Sequence, residues 1–240
     1  PPGWAEWNDR FRDSVRRFWL SDIASARTSG KHWNGVADLA TRLAGSKDVI
    51  DSSNHTLRSV NFVTAHDGFT LHDLVSYDVK HNQVNGESNR DGSNDNRSFN
   101  HGAEGDFATP AMKVQRQKTM RNLMATLLFS SGIPMITAGD ELGRTQHGNN
   151  NAYCHDSALT WIDWELADWQ RAHLDAVTRL IAIRRENPAL RPTGIVQPSQ
   201  EISPAGRPRR ARTPSEASTM DWYSADGTLM TLENWQEIGR

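Results

Sequence analysis

Two short runs constrain this chain more than anything else in it: Val60-Asn61-Phe62-Val63-Thr64-Ala65 and Ile133-Pro134-Met135-Ile136-Thr137-Ala138. Each is too short for a helix and largely apolar on both faces. That pattern belongs to strands buried in a parallel sheet rather than to half-exposed hairpin strands. The first run passes straight into His66-Asp67-Gly68 and the second into Gly139-Asp140-Glu141. Each is then followed by polar, turn-forming sequence: residues 82 to 109 after the first, and Arg144 to Asp156 after the second. A helical pattern follows each loop. Parallel strands need crossovers, and crossovers are right-handed. In a (β/α) barrel the reactive groups gather at the C-terminal strand ends. The spacing therefore predicts a rim holding His66, Asp67, Asp140 and Glu141, although Asp140-Glu141 reads more readily as a structural pair, because carboxylates at strand ends often tie down loop amides.

The helices read from periodicity and caps. Asn8 or Asp9 caps a helix with Phe11, Val15, Phe18 and Trp19 on one face, and Trp4 to Trp7 reads as a short strand before it. Asn34 caps a second helix, with Val36, Leu39, Ala40, Leu43 and Ala44 as its stripe and Gly45 as its stop. Thr70 to Asp73 resembles a capping box. Thr109-Pro110 starts a helix with Met120, Leu123, Met124, Leu127 and Leu128 on one side, and Gly132 ends it. Leu166, Trp169, His173, Val177, Leu180 and Ile181 form the last long stripe, stopped by Asn187-Pro188. Beyond it, residues 191 to 219 are rich in Pro, Ser and Arg. Trp222, Tyr223, Leu229 and Met230 around Asp226-Gly227 read as a hairpin.

Composition removes several functions. The formal net charge is −2, which argues against a polyanion binder working through bulk charge. Arg207, Arg209, Arg210 and Arg212 lack interleaved aromatics, so they read as a solvated loop rather than a nucleic-acid patch. A single cysteine excludes a disulfide framework. There is no run of about 18 apolar residues to span a membrane and no apolar leader. Serine-hydrolase, P-loop and dinucleotide motifs are absent. Glu87, Asn89, Asp91 and Gly92 fit the opening of an EF-hand loop, but Ser98 stands where a bidentate Glu is needed, so no metal is expected there. Nine tryptophans against three tyrosines suit stacking on sugar rings, although composition alone favours a Trp-rich core. The chain opens on Pro1-Pro2-Gly3-Trp4 rather than methionine, which reads as a piece of a longer protein.

Several long motifs carry a specific resemblance. Residues Val60 to Leu71, through His66-Asp67-Gly68-Phe69, resemble a conserved region of the alpha-amylase family, glycoside hydrolase family 13. Asp73-Leu74-Val75-Ser76-Tyr77, Lys80-His81-Asn82, Asn85-Gly86-Glu87, Asn89-Arg90-Asp91-Gly92 and Asn94-Asp95-Asn96 resemble its isoamylase-type glycogen-debranching branch. So do Gly139 to Gln146 and Gly148 to Cys154. The resemblance covers roughly residues 1 to 190.

The resemblance implies a partial (β/α)8 TIM barrel, an α/β fold with about strands six to eight and their helices over residues 1–190. A linker and the start of a truncated C-terminal β-domain would follow over 191–240. It implies retaining hydrolysis of α-1,6 branch linkages in glycogen or limit dextrins, without a cofactor, in the cytoplasm by family analogy. Asp67 matches the family's transition-state stabiliser and His66 its neighbouring sugar-binding histidine. Asn150, Asn151 and Tyr153 are offered as further sugar contacts. The family's nucleophile lies in a Gly-Phe-Arg-x-Asp string, which these 240 residues do not contain, and its acid/base Glu precedes the segment matched here. The chain alone is therefore expected to be inactive. A non-catalytic glucan-binding module, and a family member acting on another α-glucan linkage, stay open as alternatives.

Overall fold

The computed structural model describes residues 4–30, 35–50, 57–192 and 220–237. The expected cap at Asn34, the Arg207–Arg212 run and most of the Pro/Arg-rich stretch lie outside them. Three short strands form a parallel sheet: β1 (Glu6–Asn8), β2 (Ser59–Phe62) and β3 (Ile133–Met135), with β2 in the centre. Trp7 pairs with Val60, and Val60 with Ile133. The first strand thus sits slightly later than the Trp4–Trp7 reading. β3 departs from the expectation of burial on both faces. It is the edge strand among those described, and Ile133 is 50 % exposed.

The helices are α1 (Asp9–Arg16), α2 (Asp22–Ser29), α3 (Val36–Leu43), α4 (Leu71–Leu74), α5 (Pro110–Phe129), α6 (Asp168–Glu186) and α7 (Leu232–Glu237). Asn8 caps α1 by accepting from the Phe11 amide at 2.9 Å. A π turn, Arg17–Ser21, joins α1 to α2. Its extra residue per turn shifts the buried stripe, so that Leu20 follows Phe11 and Val15 into the core while Phe18 and Trp19 stay half-buried. Thr109 caps α5 with Pro110 in the first turn, and all five residues of the expected α5 stripe are buried. α6 starts later than expected, leaving Leu166 before it, buries His173 and Val177 and ends at Asn187, whereas Ile181 is exposed. α5 and α6 pack together, and the core joins them to Phe69, Leu71, Leu74 and Val75 behind the sheet. In the C-terminal part, Tyr223 bridges Leu229 in antiparallel fashion, which forms the expected hairpin.

Polar side chains link the sheet across its strands. Asn8 donates to Ser59 Oγ at 2.7 Å, Ser59 to Asn61 Oδ1 at 2.6 Å, and Asn61 to Ser130 Oγ at 2.9 Å. Buried polar groups need partners, and these partners tie β1, β2 and the end of α5 into one register. None of the described tryptophans is buried: Trp4, Trp7, Trp161 and Trp164 are exposed, and Trp19, Trp169, Trp222 and Trp235 are half-buried. The reading of a Trp-rich core is therefore overturned. The core is built from Leu, Phe, Val and Met.

Asp140 takes the structural role rather than the place on the rim. It is 2 % exposed and braces the core instead of joining a rim. Its carboxylate accepts from the Leu71 amide at 2.9 Å and from the Thr64 hydroxyl, and its carbonyl meets His173 Nε2 at 3.1 Å. Burial raises its pKa to about 6, against the lowering effect of those bonds and of Arg144. A pKa raised above the unfolded value means the native state takes up the proton first. This contribution to stability is present below pH ~4 and is lost as pH rises through about 6. Asp140→Asn should flatten that part of the stability profile, with the Thr64 hydroxyl turning to Thr137, 3.1 Å away. Asp140→Ala should cost about 1–3 kcal/mol, because the Leu71 amide loses its acceptor. Urea denaturation between pH 4 and 7 measures both effects.

Candidate active site

Asp67 stands at the C-terminal end of β2, past Val63 and Thr64, which are buried. His66 and Asp67 are exposed. Gly68 takes a left-handed conformation (φ +88°), and its amide donates to the Asn150 carbonyl at 2.9 Å. Asp67 lines a cavity of about 360 Å³ together with Arg12 and Arg16 of α1, Gly92 to Arg97 of the first polar loop, and Asn150 and Asn151 of the second. Both long loops thus converge on the expected acid.

The two loops are locked to each other by side-chain amides. Asn82 Nδ2 donates to Asn150 Oδ1 at 2.8 Å, and the Asn150 amide donates back to Asn82 Oδ1 at 2.9 Å. Asn150 Nδ2 donates to the Ser93 carbonyl at 2.8 Å and to Asn96 Oδ1 at 2.7 Å. Asn151 and Asn85 both donate to the Asp91 carboxylate, at 2.9 and 2.7 Å, which holds its pKa below the ordinary value. The Lys80 ammonium reaches the carbonyls of Asp91 and Gly92 at 2.7 and 3.1 Å. The EF-hand-like residues are therefore occupied with organising the loop. Among the described residues no group of three or more His, Cys, Asp or Glu is arranged to hold a metal.

Thr70 caps α4 by accepting from the Asp73 amide at 3.1 Å, which is half of a capping box. The reciprocal half is missing because the Asp73 carboxylate accepts from Thr145 Oγ1 at 2.5 Å and the Gln146 amide at 2.8 Å. This ties the second loop to the segment behind Asp67.

The other expected site residues are placed unevenly. His66 sits beside Trp7, edge to face at 5.9 Å, outside the cavity lining. Tyr153 is 82 % exposed and also outside it. Asn150 and Asn151 line the cavity, but their amides are engaged with the loops. Glu141 accepts from the Gly139 amide at 3.0 Å and, like Asp140, is not part of the lining. The rim expected from the two strand ends thus reduces to His66 and Asp67.

Sequence reasoning missed Arg12, Asp13, Arg16 and Arg97. Arg16 is buried and donates to the carbonyls of Val63 at 2.8 Å and Asn96 at 3.2 Å, joining the end of β2 to the first loop. Burial and the neighbouring Arg12 lower its pKa to about 10, so it remains cationic at neutral pH. Arg97 pairs with Asp13 at 2.5 Å. The i, i+4 spacing of Arg12 and Arg16 on a helix otherwise buried through Phe11 and Val15 is the signal that could have found them. Arginines and aspartates balance across the lining, an environment suited to a neutral polar ligand.

Over 237 residues, 98 % of this chain, the sequence is 43 % identical to the glycogen debranching enzyme of Escherichia fergusonii and covers 32 % of that protein. It is 42 % identical over 236 residues to the glycogen operon protein GlgX homolog of Mycobacterium bovis, covering 98 % of this chain and 30 % of that protein. The chain is a relative of the glycogen debranching enzymes. It spans about 30 % of the length of the curated relatives it matches. No protein-family model matches it. The fold is similar to that of pullulanase type I from Bacillus subtilis str. 168 complexed with maltose: TM-score 0.54 at 22 % identity, over 81 % of this chain and 24 % of that one. This likeness supports an α/β arrangement of a small parallel sheet with helices. No helix among the described residues is long and apolar enough to cross a membrane.

The amide lock predicts a measurable weakness. Asn150→Asp preserves shape but removes both donors to Ser93 and Asn96. It should cost about 1–3 kcal/mol and speed proteolytic cleavage within residues 86–97, read by mass spectrometry. Gly92→Ala should act in the same direction, because a Cβ there would collide with the Asn150 amide.

Proposed function

We propose that this chain supplies one corner of the active site of a retaining hydrolase that cleaves α-1,6 branch linkages in glycogen or limit dextrins. Asp67 is the transition-state stabiliser of that corner. The observation that carries this reading is the exposure of Asp67 at a parallel strand end, in a cavity walled by both polar loops. In such an enzyme a carboxylate at this position accepts hydrogen bonds from hydroxyls of the ring being cleaved. Those bonds strengthen as the ring flattens toward the oxocarbenium-like state, so they act on rate rather than on ground-state binding alone. His66, next to Asp67, would donate to the same sugar. Asn150 and Asn151 act through the loops they hold, and Tyr153 serves as an outlying contact for the branched substrate.

On this reading residues 1–190 are a C-terminal arc of a (β/α)8 barrel, with β1, β2 and β3 as about its sixth to eighth strands. Residues 191–240 are a linker and the start of a β-domain. Three parallel strands in chain order, each followed along the chain by a helix, support that arc. No step of bond cleavage is assigned to these residues, because the Gly-Phe-Arg-x-Asp context of the nucleophile does not occur among them. The ligand is a branched α-glucan. The charge-balanced cavity gives no support to a nucleic acid as partner.

A chimera tests the proposal. This chain replaces the matching 32 % of the Escherichia fergusonii glycogen debranching enzyme, and chain release from limit dextrin is measured. The chimera should be active, and Asp67→Asn should lower its kcat by about 10²–10³-fold with unchanged thermal stability. The 240-residue chain alone should release no linear chains. Activity of the chain alone, or an active Asp67→Asn chimera, would overturn the assignment.

A further inference from the structure

A second cavity, of about 430 Å³, lies among the start of α5, the 142–163 segment and the start of α6. It shares no lining residue with the cavity at Asp67. We propose that it binds an unbranched stretch of neutral α-glucan, with Trp161 as the stacking platform. The choice of glucan among neutral carbohydrates rests on the function proposed above; the case for a carbohydrate rests on the cavity itself.

Trp161 is 61 % exposed and yet held. Its indole N–H donates to Asp156 Oδ1 at 2.8 Å, and its amide to the Ser157 carbonyl at 3.1 Å. The preceding Thr160 carbonyl accepts from Arg144 Nη1 at 3.1 Å. An exposed indole fixed in advance offers an apolar face with little ordering cost on binding. Trp169 gives the cavity a second aromatic wall. It lies against His72, ring centroids 5.5 Å apart, and over Gly143, where a Cβ would come within 2.7 Å of the indole. Glycine at 143 is what admits that ring.

The polar lining selects the ligand class. The Arg116 guanidinium is committed to the carbonyls of Asn100, Ala103 and Gly105, and Arg144 to Thr160. Lys113, Arg116 and Arg144 share the lining with Asp106 and Asp163, so the formal excess is a single positive charge, and both arginines are already turned to backbone carbonyls. Flat apolar walls with mixed donors and acceptors at their edges match a pyranose, which has C–H faces and a hydroxyl rim. Exposed Trp161 thus finds a use that neither the core nor the Asp67 cavity provides.

The test uses maltoheptaose and glycogen with the 240-residue chain. In native gels containing glycogen the chain should be retarded. Trp161→Ala should weaken binding about tenfold, as loss of an aromatic anchor does, with an unchanged circular dichroism spectrum. Trp164→Ala, which removes an exposed indole outside both cavities, should migrate as the parent chain does. Maltoheptaose should also shift the Trp161 indole N–H resonance in the unsubstituted chain, assigned by its loss in Trp161→Phe. That readout does not depend on how a variant folds. An unmoved resonance, no retardation of the parent chain, or Trp161→Ala migrating as the parent would each overturn the proposal. Retardation lost in Asp67→Asn and kept in Trp161→Ala would overturn it while leaving the proposed function standing. An inactive chimera with retardation that depends on Trp161 would do the reverse.

Discussion

The long loops of this protein exist because buried cations take over the work of regular secondary structure. A backbone carbonyl shut away from water must find a donor, and loops as long as 82–109 provide few amides in register. Arg116 gathers the carbonyls of Asn100, Ala103 and Gly105, Lys80 those of Asp91 and Gly92, and Arg16 those of Val63 and Asn96. Arg184 does the same at the end of α5, donating to Leu128, Ser130 and Gly132 at 2.6, 2.9 and 2.6 Å. A guanidinium suits this role because it offers several donors in fixed directions and stays charged when buried. Each of these side chains carries a charge into the interior and meets it with oriented carbonyl dipoles instead of a carboxylate.

The same logic separates the two strand-end acids. Both follow a short parallel strand, and their positions in the sequence look alike. Asp140 turns inward, where Thr64 and the Leu71 amide satisfy it, and becomes a brace between the segments after β2 and β3. Asp67 stays in solvent with its backbone fixed by Gly68, which leaves its carboxylate available to a ligand. One acid holds the frame in which the other is displayed.

Much of this was legible in the sequence. Thr109-Pro110, the Met120–Leu128 stripe, the strand before His66 and the Asp226-Gly227 hairpin read directly, because caps, periodicity and turn chemistry are local. The π turn after Arg16 was not legible, since it breaks the period on which helix reading depends. The structural role of Asp140 is legible from its place at a strand end, but its partners are not, since they lie 69 and 76 residues away. The approach of Arg12, Arg16 and Arg97 to Asp67 is equally non-local. The placing of the tryptophans is not local either: Trp19 and Trp169 pack against the rim of the core from helical segments, while Trp4, Trp161 and Trp164 are exposed.

The Gly68 amide rests on the Asn150 carbonyl, and Asn150 is clasped by Asn82 and Asn96. The position of the displayed acid is therefore set by two excursions of the chain at once rather than by the strand that carries it. An engineer exchanging one of these loops for a homologous one would also re-aim the carboxylate. The two loops and the residue between them form one transplantable unit.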